Sequence, residues 1–134
     1  MSQLHCHSCS PKAAWEALEA DPKAVLVDVR TSAEWNADGV PSLDDISKNL
    51  ITIEWRTLPN MSVNPQFTTH LIEAVPDKES TIFFICRSAA RSDEAATFAR
   101  SIGYKNCINV SGGFTGGNNE SVDSWKSSKL PWRQ

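Results

Sequence analysis

An α/β domain with a parallel sheet covered by helices on both faces is the fold class this sequence predicts, and three observations predict it. The runs Ala24–Val29 and Thr81–Ile85 are continuously apolar or β-branched, broken only by Asp28 near the end of the first, as suits strands buried on both sides. Stretches with helical periodicity alternate with such runs, which requires right-handed crossovers between parallel strands. Proline, glycine or a capping residue marks nearly every change from one to the other.

The elements follow in order. A short first strand or frayed terminus holds His5-Cys6-His7-Ser8-Cys9. Ser10 then caps a helix that has Pro11 at its first position and Ala14, Trp15 and Leu18 on one face, ending at Asp21-Pro22. Ala24–Val29 is a central strand, Thr31 or Ser32 caps a short helix through Glu34 and Trp35, and Gly39-Val40-Pro41 stops it. A weaker strand falls near 49–53, and the segment from Trp55 to Pro65 reads as irregular. Helical periodicity runs from Gln66 to Val75 through Phe67, Leu71 and Ile72. The strand 81–85 is followed by a helix to Ile102 with Ser92 as its cap, then a strand at 107–110 and the glycine-rich loop Gly112–Gly117. A short helix near Val122 to Ser127 closes the chain.

At 134 residues the chain is one domain, 1–134, with its core in about 11–133, large enough to bury roughly two thirds of its unfolded surface. Thirteen basic and sixteen acidic residues, without long blocks, argue against nucleic acid or a membrane as the main partner. The N-terminus lacks the basic and apolar regions of a secretory signal, so the cytoplasm is the default compartment; a monomer is the default for a small domain with no obvious exposed apolar helix face. Cys6, Cys9, Cys86 and Cys107 are then thiols rather than a disulfide framework. The histidine and cysteine cluster at the N-terminus has no second ligand pair, so it is read as incidental and no metal is expected.

The chemistry concentrates at Cys86-Arg87-Ser88-Ala89-Ala90-Arg91-Ser92, where a buried strand ends in a cysteine and turns into a helix. Backbone N–H groups of a loop of small residues, the helix dipole and two guanidinium groups all favour a negative charge there. The same field favours a thiolate on the cysteine. Ligands in such folds bind beyond the carboxyl ends of the strands, where this loop, Asp28-Val29-Arg30 and the glycine-rich loop all arrive. A redox sensor would need a second cysteine within disulfide reach of Cys86, and Cys107 reads as core.

Leu26-Val27-Asp28-Val29-Arg30-Thr31 with Glu34-Trp35 and Val40-Pro41, then Cys86–Ser92, then Gly112-Gly113-Phe114, resemble a single-domain rhodanese over nearly the whole chain. Trp125–Gln134 and the stretch from Ile53 to Pro65 resemble a bacterial subgroup, which implies a C-terminus complete at Gln134. The resemblance implies a five-stranded parallel sheet and a sulfurtransferase of the thiosulfate:cyanide class that carries sulfane sulfur as a persulfide on Cys86, without metal or cofactor. The loop N–H groups from Arg87 through Ser88, Ala89 and Ala90 to Ser92 would hold the persulfide, while Arg87 and Arg91 would hold a small anionic donor. Asp28 and Arg30 read as a brace between loops. Acceptors would be cyanide, a thiol or a protein cysteine, and the alternative is a carrier or interaction module without turnover. Related phosphatases separate cysteine and arginine by five residues; four stand between Cys86 and Arg91, which leaves little room for phosphate. Relatives often have glycine where Ala89 stands, and a left-handed alanine there would cost about 1 to 2 kcal/mol.

Overall fold

The computed structural model describes residues 7–117 and 122–134. The chain runs β1 (Ser8–Cys9), α1 (Pro11–Ala20), β2 (Val25–Asp28), α2 (Ser32–Asp38), β3 (Val40–Pro41), a 3-10 turn (Asp44–Ile46), β4 (Ile51–Thr52), β5 (Arg56–Thr57), β6 (Ser62–Val63), α3 (Phe67–Ala74), β7 (Thr81–Ile85), α4 (Ala90–Ser101), β8 (Asn106–Val110) and β9 (Trp132–Arg133). The main sheet has five strands in the order β1-β8-β7-β2-β4, all parallel. β7 is its centre, so the loop that follows it opens in the middle of the rim.

Two-residue alternation along β7 divides the core between the sheet faces. Ile82 and Phe84 pack with Phe67 and Leu71 of α3 and with Ala95, Ala96 and Ala99 of α4. Phe83 and Ile85 pack on the other face with Ala14 and Leu18 of α1, Phe114 and Trp125. Burying each phenylalanine contributes roughly 1.5 to 3 kcal/mol. The small alanines of α4 let that helix lie close to the sheet and fix where its first turn meets the end of β7.

Local chemistry accounts for the helix starts. The Ser10 hydroxyl accepts the Ala13 N–H at 3.1 Å, with Pro11 at the first helical position. Thr31 and Glu34 form a reciprocal capping box on α2. Three expectations are corrected. The stretch from Trp55 to Pro65 contains a small antiparallel hairpin, β5 with β6, because Arg56 pairs with Val63 and the Asn64 N–H reaches the Trp55 carbonyl at 2.7 Å. No helix forms at 122–127, where a bend and irregular backbone lead into turns over 125–129; Ser124 and Ser127 exchange hydroxyl contacts with each other's backbone, which competes with helical pairing. Ser92 does not cap α4, which begins two residues earlier at Ala90. His5 and Cys6 lie outside the described residues. Among the described residues no helix is long and apolar enough to cross a membrane.

Candidate active site

Cys86 is the residue directly after β7 and is 1% exposed. Because α4 starts at Ala90, Ser92 lies in its first turn, where backbone N–H groups have no intrahelical acceptor. The Ser92 N–H is used on the cysteine: it donates to Cys86 Sγ at 3.3 Å, and Ser92 Oγ stands 3.1 Å from the same sulfur. Among the described residues, the N–H groups of Arg87, Ser88, Ala89, Ala90 and Arg91 donate to no protein acceptor. A run of free amides at a helix N-terminus suits an anionic group on the sulfur. Ala89 has φ −177°, extended backbone that alanine adopts freely, so it carries no left-handed strain.

The glycine-rich loop supports this one from behind. Phe114 N–H donates to the Cys86 carbonyl at 2.8 Å, and the Thr115 and Gly116 N–H groups donate to the Arg87 carbonyl at 3.2 and 3.1 Å. Gly113 makes that approach possible: its φ is +63°, and a Cβ on it would stand 2.5 Å from the Arg87 carbonyl oxygen. A cavity of about 130 Å³ lies beside the loop, lined by Ser88, Ala89, Gly112, Gly116 and Val122. A larger hollow of about 240 Å³ lies against Val40–Asp44, Lys48–Leu50 and Arg133, away from the cysteine.

Asp28 and Arg30 are fully buried and share a forked pair, with Nε and Nη2 of the arginine on the carboxylate at 2.7 to 3.1 Å. Arg30 Nη2 also donates to the Gly39 carbonyl at 2.8 Å, and its guanidinium lies 4.4 Å from the Phe114 ring centroid. The pair therefore ties the end of β2 to the end of α2 and to the glycine-rich loop, with no hydrogen bond to Cys86 among the described residues.

Two side chains important to the site were not read from the sequence. Glu34 receives both terminal nitrogens of Arg91, at 2.6 and 2.9 Å, so this guanidinium already has a carboxylate partner. Burial pushes the Glu34 carboxyl up, but Arg91 and the Thr31 N–H and hydroxyl outweigh it and hold it at about 2. Arg87 is exposed and has no carboxylate within ion-pair distance among the described residues. The second side chain is Asn109, in β8, whose Oδ1 accepts from Ser92 Oγ at 2.5 Å. On sequence grounds Glu34 is only a member of the short helix capped by Thr31 or Ser32, which gives no sign of its distant partner. Asn109 left a signal, an amide set among the apolar residues Cys107, Ile108 and Val110 that must find partners when buried.

The other described cysteines lie too far away to resolve an oxidised Cys86. Cys107 pairs with Ile82, four residues before Cys86 along β7, hence about 13 Å away. Cys9 pairs with Val110 on the far side of β8, about 10 Å from the line of β7. A disulfide needs Cα atoms within about 7 Å. Burial pushes both thiols up to about 11, away from reactive thiolates.

Comparison with known proteins gives the same architecture. The STR4 middle domain family matches residues 6–134. An uncharacterized protein of Rickettsia conorii is 43% identical over 126 residues, covering 93% of this chain and 94% of its own. The chloroplast rhodanese-like domain-containing protein 4 of Arabidopsis thaliana is 27% identical over 124 residues, 92% of this chain and 25% of that protein. The crystal structure of Rv0390 from M. tuberculosis superposes with a TM-score of 0.84 at 36% identity, over 95% of this chain and 96% of that one. The polysulfide-sulfur transferase of Wolinella succinogenes, solved as a homodimer, superposes with a TM-score of 0.69 at 26% identity, over 94% of this chain and 77% of that one.

Proposed function

Because the chain belongs to the STR4 middle domain family of rhodanese-like proteins, we propose that it transfers sulfane sulfur through a persulfide on Cys86. The observation that carries this is the single sulfur at the start of five amides with no protein acceptor among the described residues, itself held by the Ser92 N–H at 3.3 Å. The Cys86 thiolate attacks the outer sulfur of the donor, a new S–S bond forms, and the bond to the donor's leaving group breaks. Thiosulfate would release sulfite with the bonding electron pair; a persulfide donor would release its thiolate. The terminal sulfur, now anionic, lies among the loop amides. An acceptor nucleophile, cyanide or a thiol, then takes that sulfur and Cys86 leaves as thiolate. No step needs a metal or an organic cofactor.

The Glu34–Arg91 pair bears on the donor. A guanidinium already held by a carboxylate attracts a dianion weakly, which leaves Arg87 as the loop's positive group without a carboxylate partner among the described residues. This favours persulfide donors, including one on a partner protein, over thiosulfate, and supports a sulfur-carrier role as the second reading. Intact mass after incubation with thiosulfate, and separately with a persulfide donor, distinguishes them. A gain of one sulfur that cyanide removes, with either donor, supports transfer through Cys86. Gain from a protein persulfide alone supports the carrier. Gain retained in Cys86→Ser overturns both.

A further inference from the structure

Ser92 has one hydroxyl proton and three candidate partners. Its Oγ lies 3.1 Å from Cys86 Sγ, 3.0 Å from the Ala89 carbonyl and 2.5 Å from Asn109 Oδ1. The far end of the Asn109 amide settles which way the proton points. Nδ2 donates to the Ala89 carbonyl at 3.2 Å, and a carbonyl can only accept, so Oδ1 must be the atom that faces Ser92. Oδ1 in turn can only accept. The Ala89 carbonyl also receives the Asp93 N–H at 3.0 Å and is served without Ser92. The hydroxyl proton therefore lies on Asn109, and Ser92 Oγ meets the sulfur with a lone pair, as an acceptor suited to an S–H. Cys86, Ser92 and Asn109 are at most 6% exposed, so bulk water does not freely replace any of these partners.

We propose that Asn109 is a positioning residue that withholds the Ser92 proton from Cys86. Turning that hydroxyl toward a thiolate would leave two oxygens 2.5 Å apart with no hydrogen between them. The thiolate is thus denied one donor that a neighbouring serine could supply, and it stays more basic and more nucleophilic than it would with that donor. A sulfur-loaded Cys86 has a neutral, divalent Sγ that needs no such donor. The arrangement therefore disfavours the bare thiolate against the loaded form.

Other charged and titratable groups on the surrounding elements act independently of this contact. The charged ones are Arg87 on the loop, Arg91 and Asp93 on α4, Glu34 on α2, and Asp28 and Arg30 at the end of β2. The titratable ones beyond these are His7 and Cys9 on the β1 side and Cys107 on β8, while Ser111–Gly117 carries none. None hydrogen-bonds through its side chain to the side chain of Ser92 or Asn109 among the described residues.

The test is the rate of alkylation of Cys86 by iodoacetamide across a pH series, followed by intact mass, in the full chain, Asn109→Ala, Ser92→Ala and the double variant. In Asn109→Ala the hydroxyl is free to turn to the sulfur. The pH of half-maximal rate should fall by about one unit and the plateau rate by about threefold, as thiolate reactivity follows basicity. In the Ser92→Ala background the Asn109 change should do nothing further, because Asn109 acts only through that hydroxyl. Equal shifts in both backgrounds, or no shift in a folded Asn109→Ala, overturn the proposal. Should the alanine variant fail to fold, Asn109→Thr serves, since its hydroxyl can donate to Ser92 Oγ and the same downward shift is expected; no shift there overturns the proposal. Iodoacetamide needs no sulfur donor, so failure of sulfur transfer and failure of this inference are separate results.

Discussion

Cys86 directly follows β7 and Cys107 lies on the neighbouring β8, 1% and 2% exposed, yet their surroundings differ in the one respect that decides reactivity. Cys86 stands past the end of β7, where a helix N-terminus supplies a backbone donor to the sulfur. Cys107 lies within β8 beside the other end of β7, where among the described residues its sulfur has one hydrogen-bonding contact, the Tyr104 carbonyl at 3.8 Å, an acceptor, and burial pushes its thiol up to about 11. Burial alone therefore says nothing about function; position along the strand says a great deal. In a parallel sheet the carboxyl ends are where strands hand over to helix N-termini and their free N–H groups. The sharpest way to break this contrast is to exchange the roles of the two thiols. Cys86→Ser should reduce sulfur loading, read as a cyanide-removable mass gain, to the detection limit, while Cys107→Ser loads as the unaltered chain does. Loading lost in both would place the difference outside the loop.

The next largest effect should come from the loop behind Cys86, which has no counterpart around Cys107. Gly113→Ala puts a methyl group 2.5 Å from the Arg87 carbonyl oxygen and demands a left-handed alanine. The expected outcome is a loss of about 2 kcal/mol in denaturant unfolding, together with sulfur loading slowed at least tenfold as Cys86 and Arg87 shift. Unchanged loading in Gly113→Ala would show that the amide run tolerates displacement of its support.

Why Cys86 was legible and its neighbours less so follows from the range of the forces involved. The alternation of strands and helices, the glycine-rich turn and the cysteine at a strand end are local patterns, and all appear in the fold. The start of α4 is also local, but Ser92 is a strong cap on sequence grounds, and it does not serve as one because its hydroxyl is engaged by Asn109 while the Asp93 N–H donates to the Ala89 carbonyl. The hairpin after Trp55 has two residues in each strand, too few for a period to register. Pairings across the chain left the least trace. Arg91 and Glu34 are 57 positions apart and Ser92 and Asn109 17 apart; Glu34, Arg91 and Ser92 each had a reading nearer at hand, and Asn109 alone signalled that it needed a partner.

The Arg91 pairing gives the third prediction. Glu34→Gln keeps a side chain that can complete the capping box on Thr31 but removes the charge that holds Arg91. The ratio of Cys86 alkylation by iodoacetate to that by iodoacetamide should rise about threefold to tenfold, as expected when one partly buried charge is uncovered. Sulfur loading from thiosulfate should rise with it, and loading from a persulfide donor should not. An unchanged ratio would mean that the guanidinium is not felt at the sulfur. The pair also has a pH signature. The Glu34 carboxyl is held below its ordinary value of 4.5, at about 2, so its stabilising contribution is complete above 4.5 and fades as pH falls from there toward 2. The Tm advantage of the unaltered chain over Glu34→Gln should shrink over that interval and be constant above it.

The smallest effect returns to Cys107. Cys107→Ala removes a buried sulfur from the cluster around Ile82, Ala99 and Tyr104, and should lower stability by about 1 to 2 kcal/mol through the cavity it leaves. At the same time it deletes a thiol about 13 Å from Cys86 by strand register, with the buried core between them. Alkylation of Cys86 and its pH profile should therefore be unmoved. A changed profile would show that the core transmits strain from the middle of β8 to the start of α4. Asn109, two residues further along the same strand and hydrogen-bonded to both the Ala89 carbonyl and Ser92, would then be the link through which it travels.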